Sequence, residues 1–298
     1  MINNYYNEIK NELINNEVYK RVKDYSKNRN ELSTYYNVGK LLSEAGKHYG
    51  NGIIKDYSIR LTKELGRGYS KRNLWLMLKF FEVKEKVQTV SAELSWSHYV
   101  ELLSLNDINE INYYINTTEK YNLSVRQLRE RIKNKEYQRL DDNTKLKLIN
   151  KEEMSIGDNI KNPIIIKNKL GIDKEDISEK ILQRLILEDI PSFLKELGEG
   201  YSFIENEYKI KINNTYNYID LLLFNYIYNS FVVVELKVTE VKKEHIGQVE
   251  VYMNYIDKHI KGINNNKTIG IIVARRDNHY YIEYSSDKRI YTRDYEII

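Results

Sequence analysis

The sequence predicts an α+β protein of two domains, and two changes of pattern along the chain carry that prediction. Apolar residues recur at spacings of three and four through residues 1–138, which is typical of an all-helical domain. From residue 176 onward the order becomes helix, three apolar strands, helix and strand, within a second domain predicted over residues 162–298. Residues 139–161 are polar and without a period, so they are predicted to be the linker.

The helical domain is predicted from four periodic segments. They are residues 17–45, 53–65, 71–86 and 124–137, and glycine-containing breaks separate them at 46–52 and 66–68. Ser70 is the predicted N-cap of the third segment. In the second domain the predicted helices are 177–197 and 241–260, and the predicted strands are 201–211, 216–224, 231–238 and 268–274.

Composition restricts the classes of function. The chain has 298 residues, of which 41% are hydrophobic and 30% charged, enough for two packed cores. The absence of cysteine excludes disulfides, cysteine nucleophiles and thiolate metal sites. A net charge of +4 permits binding to a polyanion without requiring it. No signal-peptide pattern and no apolar run of about 18 residues is present, so we expect a cytoplasmic protein without membrane association.

Three charged residues lie inside two runs that otherwise predict buried strands. They are Asp220 in the first run, and Glu235 and Lys237 in the second. The turn formers at 225–230 predict an antiparallel hairpin centred near residues 227 and 228, which places Asp220 across from Glu235. Side chains in that relation are about 5 Å apart at Cβ, and Lys237 shares the face of Glu235.

Two carboxylates at such a distance repel each other unless a cation lies between them. Hard oxygen ligands favour Mg²⁺ or Mn²⁺, and such a site with a nearby lysine suits phosphodiester hydrolysis. The alternative is a structural ion pair, Lys237 with Glu235 or with Asp220, in an edge hairpin.

The residues also carry a resemblance to known proteins. Asp220, fourteen intervening residues and then Glu235-Leu236-Lys237 resemble the D…E-x-K signature of the PD-(D/E)XK nuclease superfamily. Gln248 and Tyr252, at i and i+4 of a predicted helix, resemble the Q-x-x-x-Y pattern of its RecB-like and lambda-exonuclease-like branches. Segments 36–42, 61–70, 94–99 and 124–129 are similar to the N-terminal domain of YhcG-like bacterial proteins, in which an all-helical domain of unknown function precedes a nuclease domain.

The resemblance implies a restriction-endonuclease-like αβββαβ core with a mixed sheet. It implies a Mg²⁺- or Mn²⁺-dependent nuclease that hydrolyses DNA in defence, repair or mobile-element processing. Asp220 and Glu235 would bind the metal, with the Leu236 carbonyl as a further ligand, and Lys237 would assist the attack of water. Gln248 would orient the water or a ligand, and Tyr252 would either contact nucleic acid or serve packing.

One position departs from the family pattern, which has a glutamate where this chain has Gln183. Among the neighbouring acidic residues, Glu179 and Asp189 lie beside the apolar stripe of the predicted helix, whereas Glu188 lies outside it. Glu179 is the first candidate for a third metal ligand. The departure leaves a second hypothesis open, a catalytically inactive module that binds nucleic acid or protein. An RNA substrate and a homo-oligomer also stay open.

Basic residues of the N-terminal domain are candidates for nucleic-acid contact. Arg67, Lys71 and Arg72 cluster at a predicted helix start, and Arg126 and Arg129 lie on another helix. The favoured interpretation of these residues is an ordinary solvated face. Trp96 is likewise expected in the core, and His98 is expected to be either satisfied in its hydrogen bonds or exposed, rather than both stacking on bases.

Overall fold

The computed structural model describes residues 5–21, 27–50, 52–87, 93–276 and 287–298. The chain divides into two compact units, residues 1–137 and 138–298. None of the helices within the described ranges is long and apolar enough to span a bilayer.

The first unit is helical, as predicted. Its helices are α1 Tyr5–Arg21, α2 Lys27–Tyr49, α3 Ile53–Leu65, α4 Lys71–Lys84, α5 Trp96–Leu102, α6 Ile108–Tyr121 and α7 Val125–Lys133, with a 3-10 turn at Arg67–Tyr69. Ser70 caps α4 as predicted, because its hydroxyl accepts a hydrogen bond from the Asn73 N–H at 3.3 Å. Helices α2 and α4 approach so closely that a Cβ on Gly39 would overlap the backbone carbonyl of Met77.

Two residues of this unit have structural roles. The Trp96 ring centroid lies 4.5 Å from that of Tyr35 and 5.5 Å from that of Phe80, within the aromatic packing of the helices. The His98 ring nitrogens lie 3.1 Å from the Ser95 N–H and 3.0 Å from the Leu123 carbonyl oxygen, so both are satisfied. Trp96 is thus half-buried in aromatic packing rather than fully in the core, whereas the expectation of satisfied hydrogen bonds for His98 is confirmed.

The second unit is an α+β domain around one mixed sheet. Its elements are α8 Asp142–Asn150, β1 Ile164–Ile166, α9 Glu179–Glu188, α10 Ile190–Leu197, β2 Tyr201–Ile212, β3 Thr215–Asn225, β4 Ser230–Glu240, α11 Lys243–His259, β5 Ile269–Arg276 and β6 Ile290–Ile297. The sheet order is β1-β6-β5-β4-β3-β2. Strands β2, β3 and β4 pair antiparallel, whereas β4, β5, β6 and β1 pair parallel. The predicted αβββαβ core, α9-β2-β3-β4-α11-β5, is therefore confirmed.

Both faces of the sheet are covered, which explains why its central strands read as continuous apolar runs. Val232 and Val234 of β4 belong to the core cluster that includes α9 and α10. Val233, between them, belongs to the cluster on the other side with α11. Glu235 and Lys237 therefore lie within a strand whose apolar neighbours are covered on both faces.

The structure also differs from the predicted elements. The predicted helix 177–197 is two helices, and Pro191 in the first turn of α10 explains the break because proline cannot continue a preceding helix. Strands β1 and β6 extend the core at one edge and were not predicted. Strand β1 is short and β6 is mixed in polarity, so neither shows the alternation of apolar residues that predicts a strand.

Residues predicted as a linker are ordered in the second unit. Residues 138–161 contain α8 and a 3-10 turn at Ile156–Asn159. The buried guanidinium of Arg293 holds them, because it donates to the Asp141 carboxylate at 3.0 Å and to the carbonyls of Ile160 and Gly157 at 3.1 Å each. These contacts hold the segment within the second unit.

Candidate active site

Asp220 and Glu235 come together through the register of the β3–β4 hairpin. The ladder pairs Leu221 with Val234 and continues to the turn, so the predicted register is confirmed. The ladder stops there, and Asp220, which would be next, uses its side chain instead. Its Oδ2 accepts a hydrogen bond from the Leu236 N–H at 2.7 Å. The Asp220 carboxyl thus takes the place of a main-chain carbonyl as the acceptor for an N–H group of β4.

A local distortion of β2 accompanies this departure. Asn206 pairs with Leu221 and Tyr208 pairs with Ile219, so Glu207 lies across from Asp220, between those two pairs. Glu207 has a φ of 49°, a left-handed conformation that is uncommon for a residue with a side chain. The ladder is therefore interrupted on both sides of β3 at Asp220, which frees the Asp220 carboxyl to turn toward β4.

Glu235, Lys237 and Glu179 form an ion-pair chain beside Asp220. The Lys237 ammonium lies 2.9 Å from Oε1 of Glu235 and 3.3 Å from Oε2 of Glu179, at the start of α9. Glu235 is only 3% exposed, and its Oε2 has no hydrogen-bond partner among the described residues. A buried carboxylate oxygen without a partner is costly unless a ligand satisfies it.

The electrostatics of the cluster favour an added positive charge. Burial, and then the charge of Asp220, raise the pKa of Glu235 to about 7, against the opposing effect of Lys237. Burial also raises the pKa of Asp220, although the Leu236 N–H acts in the opposite direction. Burial by itself lowers the pKa of Lys237, but the carboxylates of Glu235, Glu179 and Asp220 together outweigh burial, and the net change is upward. Lys237 is therefore a cation at neutral pH, and the two carboxyls resist simultaneous ionisation.

These residues fit a divalent cation with oxygen ligands. Asp220 and Glu235 supply hard donors on adjacent strands, and the unsatisfied Oε2 of Glu235 offers a free ligand atom. Over the described residues, however, no group of three or more His, Asp or Glu side chains has a metal-binding arrangement. The protein side of such a site thus consists of two carboxylates and whatever main-chain oxygen lies beside them.

Gln183 has a structural role next to this cluster. It is 8% exposed on α9, and its Nε2 donates to the backbone carbonyl of Asp220 at 3.0 Å. Of the acidic residues considered as its substitutes, only Glu179 reaches the cluster. Asp189 is paired with Lys169 at 2.9 Å, and Glu188 is exposed.

Gln248 and Tyr252 lie on α11, the helix that packs against the face of the sheet to which Val233 points. Gln248 Nε2 donates to the Tyr252 hydroxyl at 2.8 Å. Tyr252 is 4% exposed within the core cluster, so its ring serves packing and is closed to direct contact with nucleic acid. Burial raises its pKa, and the carboxylates of Glu235 and Asp220 act in the same direction, although the Gln248 hydrogen bond opposes them.

Sequence reasoning missed two residues of the site. His245, in the first turn of α11, is 9% exposed, and its pKa is lowered by burial and then by the positive charge of Lys237. Its position in the first turn of the helix that follows the E-x-K strand was the available signal. Glu207 was also missed, and no sequence signal marks its left-handed conformation.

The basic residues predicted for nucleic-acid contact all lie in the first unit. Arg67, Lys71, Arg72 and Arg126 are exposed. Arg129 is exposed as well but pairs with Glu101 at 2.7 Å. Arg67, Lys71, Arg72 and Arg126 have no ion-pair partner among the residues that the structure describes, so their side chains are accessible to a ligand. The same exposure is typical of an ordinary solvated face.

A mixed sheet covered on both faces, with an aspartate on one strand and E-x-K on the next, defines a nuclease of the PD-(D/E)XK class. Residues 158–297 match the YhcG PDDEXK nuclease domain, and residues 10–139 match the DUF1016 N-terminal domain. The chain therefore belongs to the YhcG family, as the sequence resemblance indicated. It is 26% identical over 284 aligned residues, 81% of this chain and 76% of the relative, to the Escherichia coli (strain K12) protein called "Putative nuclease YhcG".

Two solved structures show a more distant similarity. A repair endonuclease from Pyrococcus abyssi aligns with a TM-score of 0.29 and 18% identity over 41% of this chain and 49% of that chain. A structure of an EndoMS-dsDNA2 complex aligns with a TM-score of 0.30 and 19% identity over 42% and 48%. Both alignments span about half the length of those chains.

Proposed function

We propose that this nuclease hydrolyses DNA phosphodiester bonds with the help of Mg²⁺ or Mn²⁺, in DNA defence, repair or mobile-element processing. The observation that carries the proposal is the buried Glu235 carboxyl. Its Oε2 has no partner in the described part of the chain, and its pKa of about 7 means that a nearby cation would relieve an unfavourable charge. Lys237 alone, although bonded to Oε1 at 2.9 Å, does not relieve it.

Each residue has a role that follows from its position. Asp220 and Glu235 would hold the metal, together with the Leu236 carbonyl, and the metal would activate water and polarise the phosphate. Leu236 fixes the Asp220 carboxyl through its N–H. Lys237, protonated and held by Glu235, would stabilise charge that develops on the phosphate. Gln248, held by Tyr252, would orient the water or a ligand.

The helical unit would contribute contacts to the substrate backbone. Arg67, Lys71 and Arg72 surround the start of α4, where N–H groups also attract phosphate, and Arg126 and Arg129 lie on α7. Such contacts carry no information about the sugar, so RNA is tested beside DNA. The experiment described next also measures whether the chain forms a homo-oligomer.

The experiment compares cutting of duplex, single-stranded and branched DNA and of RNA by the full chain in Mg²⁺, Mn²⁺ or EDTA. Glu235→Ala and Lys237→Ala remove the site, and Glu188→Gln, on the exposed side of α9, is the control. We expect metal-dependent cutting of DNA that is lost in the first two variants and kept in the third. Light scattering of the same samples gives the oligomeric state. Cutting that persists in Glu235→Ala, or in EDTA, would contradict the proposal.

The second candidate is an inactive module that keeps the fold and binds nucleic acid or protein. The observation that favours it is Gln183, an amide where the family pattern has a carboxylate, committed to the Asp220 carbonyl at 3.0 Å. Absence of cutting with every substrate and metal, together with retained nucleic-acid binding, would select this candidate.

A further inference from the structure

Strands β2 and β3 continue beyond the sheet as a two-stranded ribbon. Their pairing runs as far as Ile212 with Thr215, whereas β4 stops pairing with β3 at Leu221. Residues 208–219 therefore have no third strand beside them among the described residues. The ribbon begins immediately next to Asp220.

The two faces of the ribbon differ completely. Ile210 and Ile219 are 1% and 0% exposed, and both belong to the core cluster of α11. On the opposite face, Lys209 pairs with Tyr218 and Lys211 pairs with Tyr216. Tyr216 and Tyr218 are 53% and 51% exposed. One face anchors the ribbon, and the other presents two aromatic rings and two ammonium groups to solvent.

Rings and ammonium groups form one continuous surface, which we call the ribbon face and define as Lys209, Lys211, Tyr216 and Tyr218. The ammonium of Lys209 lies 3.9 Å from the Tyr216 ring centroid, and that of Lys211 lies 5.8 Å from it. Exposed aromatic rings beside lysines are the combination by which proteins bind unpaired nucleotides, since rings stack on bases and lysines neutralise phosphates.

The ribbon face lies beside the site. Tyr218 and Tyr216 precede Asp220 by two and four residues, which at strand geometry is about 7 and 13 Å along β3. Along β2 the charge changes sign, from Glu205 and Glu207 near Asp220 to Lys209 and Lys211 further out. A phosphate backbone that enters an acidic site needs such a basic approach.

We propose that the ribbon face binds unpaired nucleotides of the substrate strand, next to the phosphodiester that is cut. This inference rests on the proposed nuclease function. It predicts that the nucleic-acid substrate is unpaired where it passes the ribbon face. In a duplex the bases already stack on one another and face inward, so two isolated tyrosine rings would have nothing to stack on.

Binding in EDTA tests this without cleavage. The probe is a fluorescent DNA oligonucleotide, single-stranded or annealed to its complement, titrated with the full chain. The variant Tyr216→Thr with Tyr218→Thr removes both rings but keeps strand-favouring residues. Tyr216→Phe with Tyr218→Phe keeps the rings, and Tyr226→Thr removes a tyrosine that is 66% exposed at the opposite end of β3. Thermal melting verifies that each variant is folded.

We expect the double Thr variant to bind the single strand at least about tenfold more weakly, because each stacked base contributes about 1–3 kcal/mol. The double Phe variant and Tyr226→Thr should bind like the wild type. Lys209→Gln with Lys211→Gln should reduce the salt slope by about 1.4, roughly 0.7 for each phosphate contact.

Two outcomes would overturn the inference alone: unchanged single-strand affinity in the double Thr variant, or an equal loss for the duplex. Both can occur while cutting of DNA persists, which keeps the proposed function. If the wild type neither binds any nucleic acid nor cuts it, the proposed function fails, and the ribbon inference with it.

Discussion

The folded protein disfavours the ionised form of the buried Glu235 carboxyl. Replacing Glu235 with glutamine removes that carboxyl. Folding raises the pKa of Glu235 from 4.5 to about 7. Because the folded pKa is the higher one, the stability that goes with the protonated carboxyl is fully present below pH 4.5 and is lost as the pH rises through about 7. One pKa unit corresponds to about 1.4 kcal/mol, so full ionisation costs about 3 kcal/mol. Glutamine has the same shape and no such cost.

The assay must follow the second unit, since both tryptophans, Trp75 and Trp96, lie in the first. Hydrogen-exchange mass spectrometry of peptides from residues 230–240 reports the opening of β4 directly. Wild type and Glu235→Gln are compared at each pH from 5 to 8 in EDTA, so that the intrinsic exchange rate cancels. We expect wild-type protection to fall by about a hundredfold relative to the variant across this range, the equivalent of about 3 kcal/mol. Glu188→Gln is the control and should follow the wild type.

The refuting result is a parallel pH dependence in wild type and Glu235→Gln. It would mean that the carboxyl is solvated or paired in the folded protein and that the site has no unrelieved charge. A further arm adds Mg²⁺ at pH 8. Protection should recover in the wild type and not in the variant, because only the wild type keeps both carboxylate ligands.

Three other predictions concern the neighbours of this carboxyl. Gln183→Glu replaces a donor to the Asp220 carbonyl with an acceptor, so calorimetry in EDTA at pH 8 should show a loss of about 1–3 kcal/mol, and an unchanged melting curve would contradict that hydrogen bond. Lys237→Met should abolish cutting while isothermal calorimetry still detects Mg²⁺, and retained cutting would remove Lys237 from the chemistry. Tyr252→Phe keeps the ring but leaves the Gln248 amide without its acceptor, so stability should fall by about 1 kcal/mol, whereas a loss as large as that of Tyr252→Ala would mean that the hydroxyl dominates.

The elements predicted from the sequence are those whose signal is local. The register of β3 and β4 follows from the turn formers between them and from the alternation of apolar residues, so the sequence already placed Asp220 near Glu235. Helix α11 was predictable from its period, and so was the i, i+4 relation of Gln248 and Tyr252.

The elements that were missed lack such a signal. Strand β1 has three residues and lies at the sheet edge. The segment 138–161 is held in place by Arg293, which lies more than 130 residues away along the chain in the case of Ile160. A sequence window around residue 150 does not contain that arginine, so the segment resembles a linker.

For the site, the sequence by itself determined which groups are available: two carboxylates on neighbouring strands, a lysine on the same strand face as Glu235, and a glutamine and a tyrosine on the next helix. Tertiary structure decided which atoms meet. Asp220 binds the N–H of Leu236 across 16 residues, Gln183 binds the Asp220 carbonyl across 37, and Lys237 reaches Glu179 across 58. It also decided that Glu207 turns left-handed opposite Asp220 and that Glu235 is buried with one oxygen unsatisfied. Periodicity and turn chemistry fix local geometry, whereas hydrogen-bond partners and desolvation depend on which distant segments pack together, and that is settled only when the whole sheet and its covering helices assemble.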